Sequence, residues 1–183
     1  MKKVVLLGDS IRLIGYGLRV PELLEGEVQV WQPEENCRYS YRTLRGLMDW
    51  EENLKGADVI HWNNGHWDYV EYFDDGVFTP LEIYVEVMCR IARLLLLRCD
   101  KVIFATNTPV KEGALYFKNS NVMKYNEALV PRLQEMGVII NDLYTIVAED
   151  VESYICDDCV HLSEAGIEVC AQQTARLIRN MII

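Results

Sequence analysis

KKVVLLGDSIRLIGYG, residues 2–17, is the stretch whose reading decides the fold. Val4, Val5, Leu6 and Leu7 form an unbroken apolar run with the length and β-branched character of a strand buried on both faces. Gly8 ends the run and lets the backbone turn sharply, so Asp9 and Ser10 sit where a strand of an α/β sheet passes into its loop. Ligands and chemistry gather at such carboxyl ends. A serine hydroxyl there can act as a nucleophile only if a base removes its proton. Without a base, the same serine simply caps the first helix, a task to which serine is well suited.

Outward from this strand, apolar runs and helical patterns alternate. Residues 27–31 (EVQVW), bounded by Gly26 and Pro33, alternate as a second strand. The segment between, 13–24, has helical spacing but holds Gly15, Gly17 and Pro21, which predicts a short helix or one broken near Pro21. Polar and arginine-rich residues 34–46 lead into a helix that continues through Leu47, Met48, Trp50 and Leu54. Residues 58–62 (DVIHW) make a third strand, 101–105 (KVIFA) a fourth and 138–140 (VII) a fifth. A long amphipathic helix fills 79–98, with Thr79 as cap and Pro80 in its first turn. A further helix covers 122–136, a short one capped by Asn141 or Asp142 runs to Ala148, and a terminal helix starts at Ser163. Strands that alternate with helices imply a parallel sheet covered on both faces. No internal repeat or low-complexity segment interrupts the pattern, and 183 residues suit one domain.

Half of the residues are apolar and a quarter charged, the balance of an ordinary globular protein. A net charge of −10 argues against nucleic acid and anionic membrane as partners, since both demand clustered cations. The longest apolar run, 91–97, is interrupted by Arg93 and falls far short of the roughly 20 residues that span a bilayer. The four-residue apolar run at the N-terminus is too short for the core of an export signal. A cytoplasmic protein with reduced cysteines is therefore expected. Nothing in the sequence sets the oligomeric state.

The missing base is offered near the other end of the chain, in DDCVHLS, residues 157–163. Asp158 and His161 are three residues apart, close enough for the carboxylate to bond one imidazole nitrogen and leave the other for a serine, the logic of a catalytic triad. Gly-Asp-Ser near the N-terminus followed by Asp-x-x-His near the C-terminus resembles the SGNH (GDSL-like) hydrolase family. The resemblance implies a three-layer α/β/α sandwich around a five-stranded parallel sheet, flavodoxin-like in architecture. It implies a small-molecule ester as substrate, acetyl or short-chain acyl, carried on an alcohol such as a carbohydrate, with no cofactor. Ser10 would be the nucleophile, His161 the base and Asp158 its orienting group.

The family also completes an oxyanion hole from the loops after its second and third strands. Asn36-Cys37-Arg38 stands in the first of these places without the family's glycine, so the Cys37/Arg38 turn would supply a backbone N–H. Gly65-His66-Trp67-Asp68 stands in the second, matching Gly-x-Asn-Asp at the glycine and the last aspartate, with Trp67 in place of asparagine. An indole N–H can donate, but Asn64 is the preferred amide donor, with Asn63 as its neighbour. His66 is read equally as a substrate contact or a surface histidine, and Tyr69, Tyr72 and Phe73 as pocket wall or packing.

Two other readings stand beside this one. Cys156 and Cys159 with His161 are zinc-ligand types, yet no second such pair exists and the other four cysteines are scattered, so no metal site is expected. A non-catalytic ligand or ester binder on the same sheet remains open, although 8–15 (GDSIRLIG) lacks the Ser/Thr/Gly-rich phosphate loop of a flavodoxin.

Overall fold

A computed structural model describes residues 1–182. Five strands, β1 (Lys2–Leu7), β2 (Val28–Trp31), β3 (Val59–Trp62), β4 (Val102–Ala105) and β5 (Ile139–Asn141), pair in parallel in the order β2-β1-β3-β4-β5. The helices in chain order are α1 (Gly17–Leu23), α2 (Ser40–Asp49), α3 (Glu51–Leu54), α4 (His66–Tyr69), α5 (Leu81–Leu96), α6 (Asn119–Glu135), α7 (Leu143–Ala148), α8 (Val151–Tyr154) and α9 (Glu164–Ile182). The expected parallel sheet with helices on both faces is present.

The period of two along each strand splits the core into layers. Val5, Leu7, Ile60, Trp62, Val102 and Phe104 point to one face and pack against α2, α5 and α6. Val4, Leu6, Val59, Ile103 and Ala105 point to the other and pack against α1, α7 and α9. Both faces of the central strands are fully buried, which is why β1 reads as a continuous apolar run rather than an alternating one. None of the helices among the described residues is long and apolar enough to cross a membrane.

The segment after β1 holds the short helix expected, but its break falls at Gly15 and not at Pro21. It opens with a π-helical turn, Arg12–Tyr16, kinked at Gly15, and then continues as α1 straight through Pro21. Proline removes the N–H that would bond the carbonyl four residues earlier, that of Gly17. Here the Gln32 side-chain amide donates to the Gly17 carbonyl instead, at 2.8 Å, so the helix runs on to Leu23. Thr79 caps nothing: α5 begins at Leu81 behind Pro80, without a side-chain cap. The cap of α7 is Asp142, whose carboxylate accepts from the Thr145 N–H.

The exits of β1, β2 and β3 are locked together. The guanidinium of fully buried Arg12 donates to the carbonyls of Gly8, Pro33 and Glu35, which bonds the loop after β2 to the loop after β1. Cys37 closes the same seam, its N–H donating to the Gly8 carbonyl and its sulfur accepting from the Gly8 N–H. A Cβ on Gly8 would lie 2.0 Å from Asn63 Oδ1, so only glycine lets the third loop come this close.

Candidate active site

Ser10 stands at the first turn after β1 and is partly exposed, while Asp9 before it is fully buried. The Asp9 carboxylate accepts from the Ile11 N–H at 2.9 Å and from the Asn63 amide at 2.8 Å, which fixes the turn that raises Ser10 to the surface. Burial outweighs these bonds and pushes the Asp9 carboxyl up to about 6.

The loop between α8 and α9 brings the second half of the site. Ile155 and Leu162 form an antiparallel bridge, the Cys156 N–H donates to the His161 carbonyl, and Cys159 adopts a left-handed φ of 68° at the tip. Asp158 is the hub of this turn. One carboxylate oxygen accepts from the Val160 and His161 N–H groups, both at 2.9 Å, and the other meets His161 Nδ1 at 2.6 Å. Partial burial raises the Asp158 carboxyl, but these three bonds outweigh it and hold the group below the usual carboxylate range. His161 Nε2 lies 2.9 Å from Ser10 Oγ. The three residues singled out at opposite ends of the sequence thus meet in one hydrogen-bonded series, Ser10 to His161 to Asp158.

They open onto a cleft of about 420 Å³ lined also by Asn36, His66, Trp67, Tyr72, Phe117 and Val160. Trp67 lines it where asparagine was expected, its ring 5.9 Å beneath the Arg38 guanidinium. No hydrogen bond from the indole N–H is seen among the described residues, nor any from the Ser10 N–H.

The other expected donors are engaged elsewhere. Asn63 donates to Asp9 and accepts from the Tyr16 hydroxyl at 2.9 Å, so its amide is part of the scaffold beneath Ser10. Asn64 is fully buried and donates to the Arg38 carbonyl at 2.7 Å, which places it under the second loop and out of the cleft. In the Cys37/Arg38 turn, the Cys37 N–H is bonded to Gly8, and the Arg38 N–H donates to Asn36 Oδ1 at 2.7 Å. Arg38 has a φ of 53°, the left-handed conformation that accounts for a glycine preference at this place. The Arg38 side chain is exposed at the rim above Trp67.

Asp68, the residue that matches the last aspartate of the third motif, faces away from the cleft. It accepts from the Ser40 N–H and hydroxyl and so caps α2 from a distance, and burial raises its carboxyl to about 6. Tyr69 belongs to the core, Phe73 is exposed, and Tyr72 is cleft wall, edge-on to Tyr116. His66 is buried, not a surface histidine. Asn36, in the turn expected to serve the oxyanion, lines the cleft with its side chain, and Phe117 joins it from the long loop after β4. The six cysteines are free, and no cluster of metal-ligand residues occurs among the described residues.

No protein-family model and no curated protein sequence matches the chain. Solved structures do. The lipase/acylhydrolase from Enterococcus faecalis superposes with a TM-score of 0.84 at 18% identity, covering 98% of this chain and 96% of its own. The acetyl xylan esterase AlAXEase superposes at 0.81 with 16% identity, covering 96% and 99%. An acetylxylan esterase from Geobacillus stearothermophilus, in a catalytic mutant, superposes at 0.80 with 15% identity, covering 96% and 93%. At these identities the likeness is one of fold, and the fold is that of the SGNH hydrolases.

Proposed function

We propose that the protein is an esterase or acylhydrolase that cleaves small carboxylic esters through an acyl-enzyme on Ser10. The observation that carries this reading is the continuous bond sequence Ser10 Oγ, His161 Nε2, His161 Nδ1, Asp158 Oδ2, opening on a cleft. His161 takes the serine proton as Oγ attacks the ester carbonyl, and Asp158 holds the imidazole in the tautomer with Nδ1 protonated. The negative charge that develops on the carbonyl oxygen needs fixed donors. The Ser10 N–H and the Trp67 indole N–H are among the unengaged donors at the cleft, and both are assigned this role. His161 then protonates the leaving alcohol, and a water activated by the same imidazole releases the acid.

A cleft of this size suits acetyl and other short acyl groups. Two of the structural neighbours are named acetyl xylan esterases, which favours a carbohydrate as the alcohol. The steps proposed use protein groups and water alone and call for no cofactor or metal. A net charge of −10 directs it to small neutral substrates rather than nucleic acid.

A second reading, binding of esters without cleavage, is favoured by the engagement of Asn63 and Asn64 away from the cleft. A panel of p-nitrophenyl esters of increasing chain length, run alongside acetylated sugars with wild type and Ser10→Ala, separates the two. Hydrolysis by wild type that Ser10→Ala abolishes supports the enzyme; equal background rates in both support the binder.

A further inference from the structure

Asn36 brings to the cleft the only side-chain amide among the residues that line it, and the steps above leave it idle. The residue is half-buried in the loop between β2 and α2. Its Oδ1 accepts from the Arg38 N–H at 2.7 Å, an Asx turn. Of the two ends of an amide only the oxygen accepts, so this bond fixes the orientation of the group and leaves Nδ2, with its two N–H donors, as the free end. Nδ2 has no partner among the described residues, and unlike the ring nitrogens of His66 it is not sealed inside the protein.

The loop that carries Asn36 is bonded to the loop that carries Ser10 on both sides of the asparagine. The Glu35 carbonyl before it accepts from the Arg12 guanidinium at 2.8 Å, and the Cys37 N–H after it donates to the Gly8 carbonyl at 3.1 Å. Gly8 and Arg12 lie two residues to either side of Ser10. An amide anchored in this way to the segment of the nucleophile is held in place before the reaction starts, as an oxyanion donor has to be. The other donors of these loops are spent. The Cys37 and Arg38 N–H groups and the amides of Asn63 and Asn64 are all bonded within the protein.

We propose that Asn36 is a catalytic residue whose Nδ2 donates to the oxyanion beside the Ser10 N–H, so that the second loop supplies the amide where the third loop holds Trp67. This rests on the hydrolase reading above and adds a group to its chemistry. As Ser10 Oγ bonds the carbonyl carbon and gives its proton to His161 Nε2, the carbonyl π pair moves onto the oxygen, and the Nδ2 N–H meets it there. When the intermediate collapses, the pair returns to the carbonyl, the bond to the alcohol oxygen breaks, and His161 hands that oxygen the proton.

The test is Asn36→Asp, which keeps an oxygen for the Arg38 N–H and removes the N–H donors alone. Its kcat on p-nitrophenyl acetate is expected to fall about 100- to 1,000-fold with KM and Tm little changed. Asn36→Ala, which adds no charge, should lose as much, so that repulsion by a new carboxylate is not the cause. Phenylboronic acid supplies a readout that a merely structural role would not move, because boron bonded to Ser10 Oγ is tetrahedral and negatively charged like the intermediate. Its inhibition constant should rise about 100-fold in both variants, far more than KM. Variants near wild type in kcat, or with unchanged boronate affinity, overturn the inference and leave the hydrolase reading intact. A loss in kcat matched by an equal rise in KM and a lowered Tm in Asn36→Asp also overturns it, making Asn36 a turn residue only. Wild type that neither cleaves the ester nor binds the boronate overturns both, since no oxyanion then forms.

Discussion

Asn63→Ala separates a scaffold role from a catalytic one at the residue where sequence and structure diverge most. The Asn63 amide donates to Asp9 and accepts from the Tyr16 hydroxyl, and both partners are fully buried. Truncation orphans the Tyr16 hydroxyl, a cost of about 1–3 kcal/mol, and removes one of two donors to Asp9 Oδ1, a loss of about 1 kcal/mol. The sum, about 2–4 kcal/mol, corresponds to a fall in Tm of about 5–15 °C for a chain of this size. It should also drive the Asp9 carboxyl further up, since the Asn63 bond is what most opposes its burial. Thermal and urea unfolding measure the first effect. Adding Tyr16→Phe should recover about 1–2 kcal/mol, because the second change removes the orphaned hydroxyl. A variant with unchanged Tm whose kcat falls 100- to 1,000-fold would refute this reasoning and make Asn63 an oxyanion donor after all.

Trp67→Phe keeps a ring beneath Arg38 but removes the indole N–H, so kcat on p-nitrophenyl acetate should fall about 100-fold with KM little changed; an unchanged kcat would exclude the indole as donor. His161→Ala should lose more activity than Asp158→Asn, because the carboxylate only orients and stabilises the imidazole; equal loss would give Asp158 a further role. Stability should be nearly flat between about pH 4 and 6 and fall below it. His61 and His66, lowered to about 3 from 6.5, bind fewer protons folded than unfolded in that window, and their contribution is lost as pH falls. Asp9 and Asp68, raised to about 6 from 3.8, bind more protons folded, and their contribution is lost as pH rises. The two pairs oppose each other between about 4 and 6. Below about 4 the aspartates no longer oppose the histidines, whose slope is on the order of 3 kcal/mol per pH unit and adds to that of carboxylates held low, such as Asp158; His66→Phe should remove about half of the histidine part. Stability that climbs steadily from pH 4 to 6 in urea titrations would contradict this balance.

The sheet was legible because β1, β3 and β4 are buried on both faces, and such burial writes itself as short runs of Val, Ile and Leu. Asp158 and His161 were legible because three residues of separation within a tight turn allow few geometries. Ser10 was legible from its place at a strand end. The donors from the third loop were not. Asn63 and Asn64 leave β3 in succession, and successive side chains point to opposite sides. Which of them faces a cleft depends on distant partners, Tyr16 and Asp9 for one and the Arg38 carbonyl for the other. The same holds for Pro21, tolerated in α1 because Gln32, the residue just past β2, donates to the Gly17 carbonyl that the proline leaves without its helical partner. His66 was ambiguous for a different reason: α4 is one short turn, too brief to leave a periodic pattern from which its burial could be read.

The claim that Ser10 is an activated nucleophile is tested most directly by intact-mass analysis after treatment with a fluorophosphonate, which phosphonylates serines whose proton a neighbouring base removes. The account predicts a single adduct on Ser10 in wild type, none in Ser10→Ala, and labelling slowed by orders of magnitude in His161→Ala. No adduct in wild type, or one on another residue that persists in Ser10→Ala, would contradict it.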